Sequence, residues 1–131
     1  MSKLSEAFND SWERVQKNKA YFIDSFYEFF MESSPEIPAM FIHTDMAQQK
    51  KMLHASLLYI TSYKSSSLPT SILEKLKDKH LGLNIQVRHY DIWMNCIIKS
   101  VDRVDPKFDK NIENAWRETF LPGLDFMKSN V

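Results

Sequence analysis

His80 is the residue whose type and place promise chemistry. It closes a leucine- and lysine-rich stretch, Ser71-Ile-Leu-Glu-Lys-Leu-Lys-Asp-Lys-His80, just before a corner at Gly82. An imidazole in that position can lend one nitrogen to a metal or a cofactor. It also suits the negative end of a helix as a simple cap, so the residue alone leaves both uses open. A second polar oddity is Gln49, which interrupts the apolar stripe Met46, Leu53, Leu57 and Ile60 and needs a reason to be there. The other histidines have weaker credentials. His54 follows Gln49 by five positions, about 140° around the same helix, and should face away from whatever Gln49 faces. His43 falls in a corner, and His89 reads as a surface residue at a helix start.

Helices must position these groups. Leu4, Phe8, Trp12 and Val15 recur at three- and four-residue steps and mark one face of a first helix that stops near Asn18. Tyr21 to Met31 is dense enough in aromatic and apolar residues for a mostly buried second helix, ended by Ser33-Ser34-Pro35. Pro35 opens a short turn to Met40, and Thr44 or Asp45 caps the helix that carries Gln49. That helix ends at the loop Ser65-Ser66-Ser67-Leu68-Pro69. After the His80 stretch, Trp93, Cys96, Ile97, Ser100, Val101 and Val104 form another buried stripe, ended by Asp105-Pro106. The last helix starts near Asp109 with Ile112, Ala115, Trp116, Thr119 and Phe120 on one face, and Pro122-Gly123 predicts a kink or an early end. No sustained period-two alternation argues for a strand, so the fold class is all-α.

Composition narrows the function classes. The 131 residues suit one domain, 1–131, and 17 basic against 17 acidic residues create no net field to recruit nucleic acid or an anionic membrane. A lone Cys96 excludes an internal disulfide framework, and the opening residues lack a secretory signal, which together predict a cytoplasmic protein. No run approaches the roughly 20 apolar residues of a membrane span. Aromatic residues make up 13% and glycines number only two, a balance that favours helices around a bulky interior.

The order of these features resembles the bacterial single-domain globins and the globin domain of flavohaemoglobins. Ser11-Trp12 with Val15 resembles the first-helix signature, and Phe26-Tyr27-Glu28-Phe29-Phe30 the second-helix run. Pro35 to Phe41 resembles the short helix and its haem-stacking phenylalanine. Thr44-Asp45-Met46-Ala47-Gln48-Gln49 is similar to the pattern T-D-M-x-x-Q, Lys79-His80 with Tyr90-Asp91 to the proximal segment, and Asn114-Ala115-Trp116 to the last helix. The resemblance spans the whole chain and implies a helical sandwich around haem b.

The resemblance also assigns roles. His80 becomes the proximal iron ligand, its other ring N–H held by a backbone carbonyl such as that of Leu76. Phe41 lies against the porphyrin, Tyr27 and Gln49 are the distal donors to an iron-bound gas, and Leu53, about 40° from Gln49 around the helix, forms the apolar distal wall. Lys79 and His43 are candidate partners of a haem propionate. Tyr90 is similar to the proximal tyrosine that the family pairs with a glutamate. The matching glutamate position falls at Val131, so that carboxylate is missing and strongly oxidising chemistry loses support.

The implied ligands are dioxygen, nitric oxide and carbon monoxide, and the implied activity is reversible oxygen binding for storage, transport or scavenging. Nitric oxide dioxygenation is the runner-up. It needs ferric iron to be re-reduced, and a chain of this length leaves room only for a separate reductase. A gas sensor or a haem-free interaction module is the alternative from another class, with no output domain expected after Val131.

Overall fold

The structure is a computed structural model that describes residues 3–62, 71–82 and 85–129. Seven helices are described: α1 (Lys3–Gln16), α2 (Lys19–Ser33), α3 (Glu36–Met40), α4 (Met46–Ser62), α5 (Ser71–Gly82), α6 (Val87–Val104) and α7 (Lys110–Lys128). No strand occurs among the described residues. The all-α expectation holds. The serine loop and Val131 lie outside the described residues.

Two partnerships dominate the packing, α2 against α6 and α1 against α7, with α4 closing onto α7. The stripes read from periodicity are the faces that meet. Val15, Ile97, Val101, Ala115, Trp116 and Phe120 are all fully buried, whereas Leu4, in the first turn of α1, is 39% exposed. Trp116 rather than Trp12 is the central indole. Its ring stacks on Phe120 at 5.7 Å and meets the edge of Phe8 at 5.0 Å.

A buried polar chain threads this apolar contact. Trp116 Nε1–H donates to Ser11 Oγ at 2.9 Å, and Ser11 Oγ–H donates to Asp105 Oδ2 at 2.6 Å. Arg14 grips the same carboxylate through Nε at 2.7 Å and Nη2 at 3.0 Å. Burial alone would push the Asp105 carboxyl up. Arg14, Ser11 and the Lys107 amide outweigh that and hold it below the ordinary carboxylate range. A fully bonded network of this kind pins α1 to the α6–α7 corner, because removing any one partner strands the others away from water.

Helix ends follow their residues. Asp45 Oδ1 accepts from the Ala47 and Gln48 amides at the start of α4, and Asp109 Oδ1 accepts from the Ile112 amide at the start of α7. One boundary differs from the sequence reading, and one left open there is decided. α5 runs past His80 to Gly82, which puts His80 inside the last turn instead of at its end. α7 does not stop at Pro122 but continues to Lys128. Proline removes only one amide bond, and the burial of Leu124 and Met127 beyond it rewards continuation. Gly123 is there for contact: a Cβ would sit 2.8 Å from Ile60 Cγ2 and 2.9 Å from the Ile60 carbonyl oxygen, so α4 and α7 touch backbone to backbone.

Candidate functional site

Between α2, α4, α5 and α6 lies a cavity of about 400 Å³. His80, Tyr27, Gln49, Phe41, Leu53, Tyr90 and Lys79 all line it, so helices far apart in sequence bring the residues singled out above to one place. The remaining wall is mostly apolar and aromatic, with Thr44, Ser56 and His89 its polar members, and no carboxylate lines it among the described residues. The part of α7 that faces it presents Leu124 and Met127.

His80 enters from the last turn of α5, which is fixed at its other face by a buried lysine. Lys77 Nζ donates to the Phe126 carbonyl at 3.0 Å and to Ser129 Oγ, and it lies 4.9 Å from the Phe126 ring centre. The His80 ring is set by α6. Nδ1 lies 3.0 Å from Tyr90 Oη, so the partner expected of the Leu76 carbonyl is supplied by a side chain of the next helix. Among the described residues Nε2 has no hydrogen-bond partner. Burial, with a smaller push from Lys79, lowers the His80 pKa to about 4, so the ring is neutral at physiological pH and free to donate a nitrogen lone pair.

On the other side, Tyr27 descends from α2 and is buried at 5% exposure. Burial pushes its phenol up to about 12, partly offset by the Gln49 side chain, so it stays a proton donor. Its oxygen lies 3.5 Å from the Gln49 carbonyl, too long a contact to satisfy the O–H. Burial likewise raises Tyr90 to about 12. The two phenols and the His80 imidazole are therefore uncharged together. Phe41 meets Tyr27 and Phe30 edge-on, each at 6.1 Å, and Leu53 is buried on α4 beyond Gln49.

The other basic candidates divide. Lys79 reaches the cavity from an exposed position, whereas His43 is exposed and not part of the wall. His54 points away from it, with Nε2 2.9 Å from Gln16 Oε1, as its helical angle requires. His89 corrects the sequence reading: it is 5% exposed, not a surface residue, and lines the cavity. Its Nδ1 accepts from the Gln86 amide at 2.8 Å and its Nε2–H donates to Glu36 Oε1 at 2.8 Å. Arg88 clamps the same carboxylate, and together these bonds tie short α3 to the start of α6. A capping histidine reaching 53 positions back to a glutamate left no local pattern to read. Trp93, which periodicity assigned only to the core, also lines the cavity, and so do Met52 and Met127, which sequence reasoning did not single out.

No protein-family model matches the chain. Its structure superposes on the crystal structure of PA3967 from Pseudomonas aeruginosa PAO1, described as structurally highly homologous to a human haemoglobin. The TM-score is 0.85 and the identity 30%, with 97% of each chain covered. The chain belongs to the bacterial globins. It is also 25% identical over 100 residues to a flavohaemoprotein of Vibrio cholerae serotype O1. That match takes in 73% of this chain and 25% of the relative, so the chain spans about a quarter of that protein's length.

Proposed function

We propose that this chain binds haem b in the cavity, with His80 Nε2 as iron ligand, and holds dioxygen reversibly beside Tyr27 and Gln49. The observation that carries this reading is a neutral imidazole and a neutral phenol with only a long bond to Gln49, both lining one mostly apolar cavity. The wall fits the group: flat aromatic and aliphatic surfaces suit a macrocycle, and Lys79 offers a cation at the rim for a propionate. Bound haem supplies an iron that shares electron density with a diatomic gas. The residues do the rest. With Nε2 committed to a metal, the ring proton sits on Nδ1 and donates to Tyr90 Oη, which fixes the ring plane. Tyr27 O–H and the Gln49 amide favour a ligand whose outer atom carries negative charge, and so favour dioxygen and discriminate against carbon monoxide.

Absorption spectra of the ferric, ferrous and carbonyl forms test the reading. A Soret band that is lost or strongly shifted in His80→Ala supports it. A colourless protein that cannot be reconstituted with haemin ends it.

Likeness to a flavohaemoprotein favours a second reading, nitric oxide dioxygenation of the oxy form to nitrate, with a separate reductase returning the iron to the ferrous state. Stopped-flow mixing of the oxy protein with nitric oxide in the presence of such a reductase distinguishes turnover from a single oxidation.

A further inference from the structure

All three tryptophans of the chain fall on one line that starts at the cavity. Trp93 is part of the cavity wall, and its ring lies 6.0 Å from Phe120. Phe120 stacks on Trp116 at 5.7 Å, and Trp116 lies 5.8 Å from Trp12, which is half-buried on α1. Hydrophobic packing accounts for large rings in a core, but not for indoles at both ends and the middle of one contact chain, nor for the polar chain on the central one. Trp116 is fully buried, yet its N–H faces Ser11, whose hydroxyl is committed to an anionic carboxylate.

We propose that Trp93, Trp116 and Trp12 form an electron path that carries oxidising equivalents, raised when hydrogen peroxide meets haem in the cavity, out to the protein surface. The proposal rests on the haem reading. Indole loses an electron readily and tolerates the resulting charge, whereas a phenol must shed its proton at the same time. The two cavity phenols are poorly placed for that. The nearest acceptor given to the Tyr27 hydroxyl is the Gln49 carbonyl at 3.5 Å, and the Tyr90 oxygen already faces His80 Nδ1.

The electrons and protons balance as follows. Reduction of one hydrogen peroxide to two waters takes two electrons and two solvent protons. Bound haem would supply one electron and Trp93 the other; a second passage along the same path would return the haem's electron, so two one-electron donors are consumed per peroxide. Trp116 refills Trp93 across Phe120 and keeps its Nε1 proton, its positive charge offset by the Asp105 carboxylate through Ser11 Oγ. Trp12 then refills Trp116. Oxidised Trp12 is left at the surface, to be reduced by a one-electron organic donor of the enediol or phenol class.

What the path protects is also in the cavity. Met40, Met52 and Met127 line it, and thioethers are converted to sulfoxides by the same oxidants.

The experiment is peptide mass spectrometry of the ferric, haem-reconstituted protein after hydrogen peroxide, without added reductant, with Trp93→Phe, Trp12→Phe and haem-free protein alongside. Oxidation products at Trp12, their loss in Trp93→Phe and in the haem-free protein, and increased sulfoxide at Met52 and Met127 in both variants are expected. Trp12 products that persist in Trp93→Phe, or that form without haem, overturn the path while leaving haem binding intact. Failure to take up haem overturns both.

Discussion

Tyr90 Oη stands 3.0 Å from His80 Nδ1, one helix holding the imidazole of another without a carboxylate between them. A phenol oxygen is a much weaker proton acceptor than a carboxylate, and burial that raises the Tyr90 pKa to about 12 keeps it neutral. On the proposed haem reading, His80 would therefore be oriented with little push of electron density toward the iron, which would suit holding a gas more than cleaving it.

Tyr90→Phe should remove the acceptor and leave the ring free to turn. With haem bound, the iron–histidine stretching band should move to lower frequency in resonance Raman spectra of the ferrous form. Haem transfer to a scavenging apoprotein should quicken by on the order of tenfold. Unchanged band and rate would mean that another group sets the ring.

The same imidazole makes the haem-free protein sensitive to acid. Its folded pKa of about 4 lies below the ordinary value of 6.5, burial being the main cause. The unfolded chain therefore binds a proton first. Above pH 6.5 His80 imposes no penalty, and stability is lost as pH falls from 6.5 through about 4. The full loss is about 3 kcal/mol at roughly 1.4 kcal/mol per pKa unit. Urea unfolding of haem-free wild type and His80→Gln across that window should show the steeper pH dependence in the wild type; parallel curves would contradict it.

How much of this was legible depends on how local each signal was. Apolar stripes at helical spacing gave α1, α4, α6 and α7 because each helix buries a face of its own. The resemblance placed His80, Tyr27, Gln49, Phe41 and Leu53, and all five line one cavity. His89 was misread because its two bonds, to Gln86 and Glu36, depend on α3 folding onto α6, which no window of the α6 sequence contains. Pro122 left a kink or an early end open for a related reason: a local rule against proline competes with burial of residues beyond it, and only the packing of α7 on α4 shows that the helix continues.

That packing gives a prediction against ordinary propensity. Gly to Ala inside a helix usually stabilises by about 1 kcal/mol. At Gly123 the new Cβ would sit 2.9 Å from the Ile60 carbonyl, a backbone atom that cannot swing away. Gly123→Ala should instead destabilise by about 1–3 kcal/mol as α4 and α7 are pushed apart. Chemical denaturation checks the sign, and a more stable variant would show that the two helices separate freely.

Tyr27 and Gln49 face each other without a good bond between them, the phenol oxygen 3.5 Å from the backbone carbonyl. A buried O–H left in that state gains most from a ligand that can accept it. Tyr27→Phe keeps the ring and its edge contacts with Phe26 and Phe41 while deleting the donor. The oxygen dissociation rate should rise about two- to tenfold, the equivalent of 0.5–1.5 kcal/mol for one hydrogen bond. Carbon monoxide carries less charge on its outer atom, so its dissociation should change less. Laser photolysis and stopped-flow displacement measure both. Equal acceleration of the two gases would point to a wider cavity and not to a lost donor, and no change in either would place the phenol outside the ligand's reach.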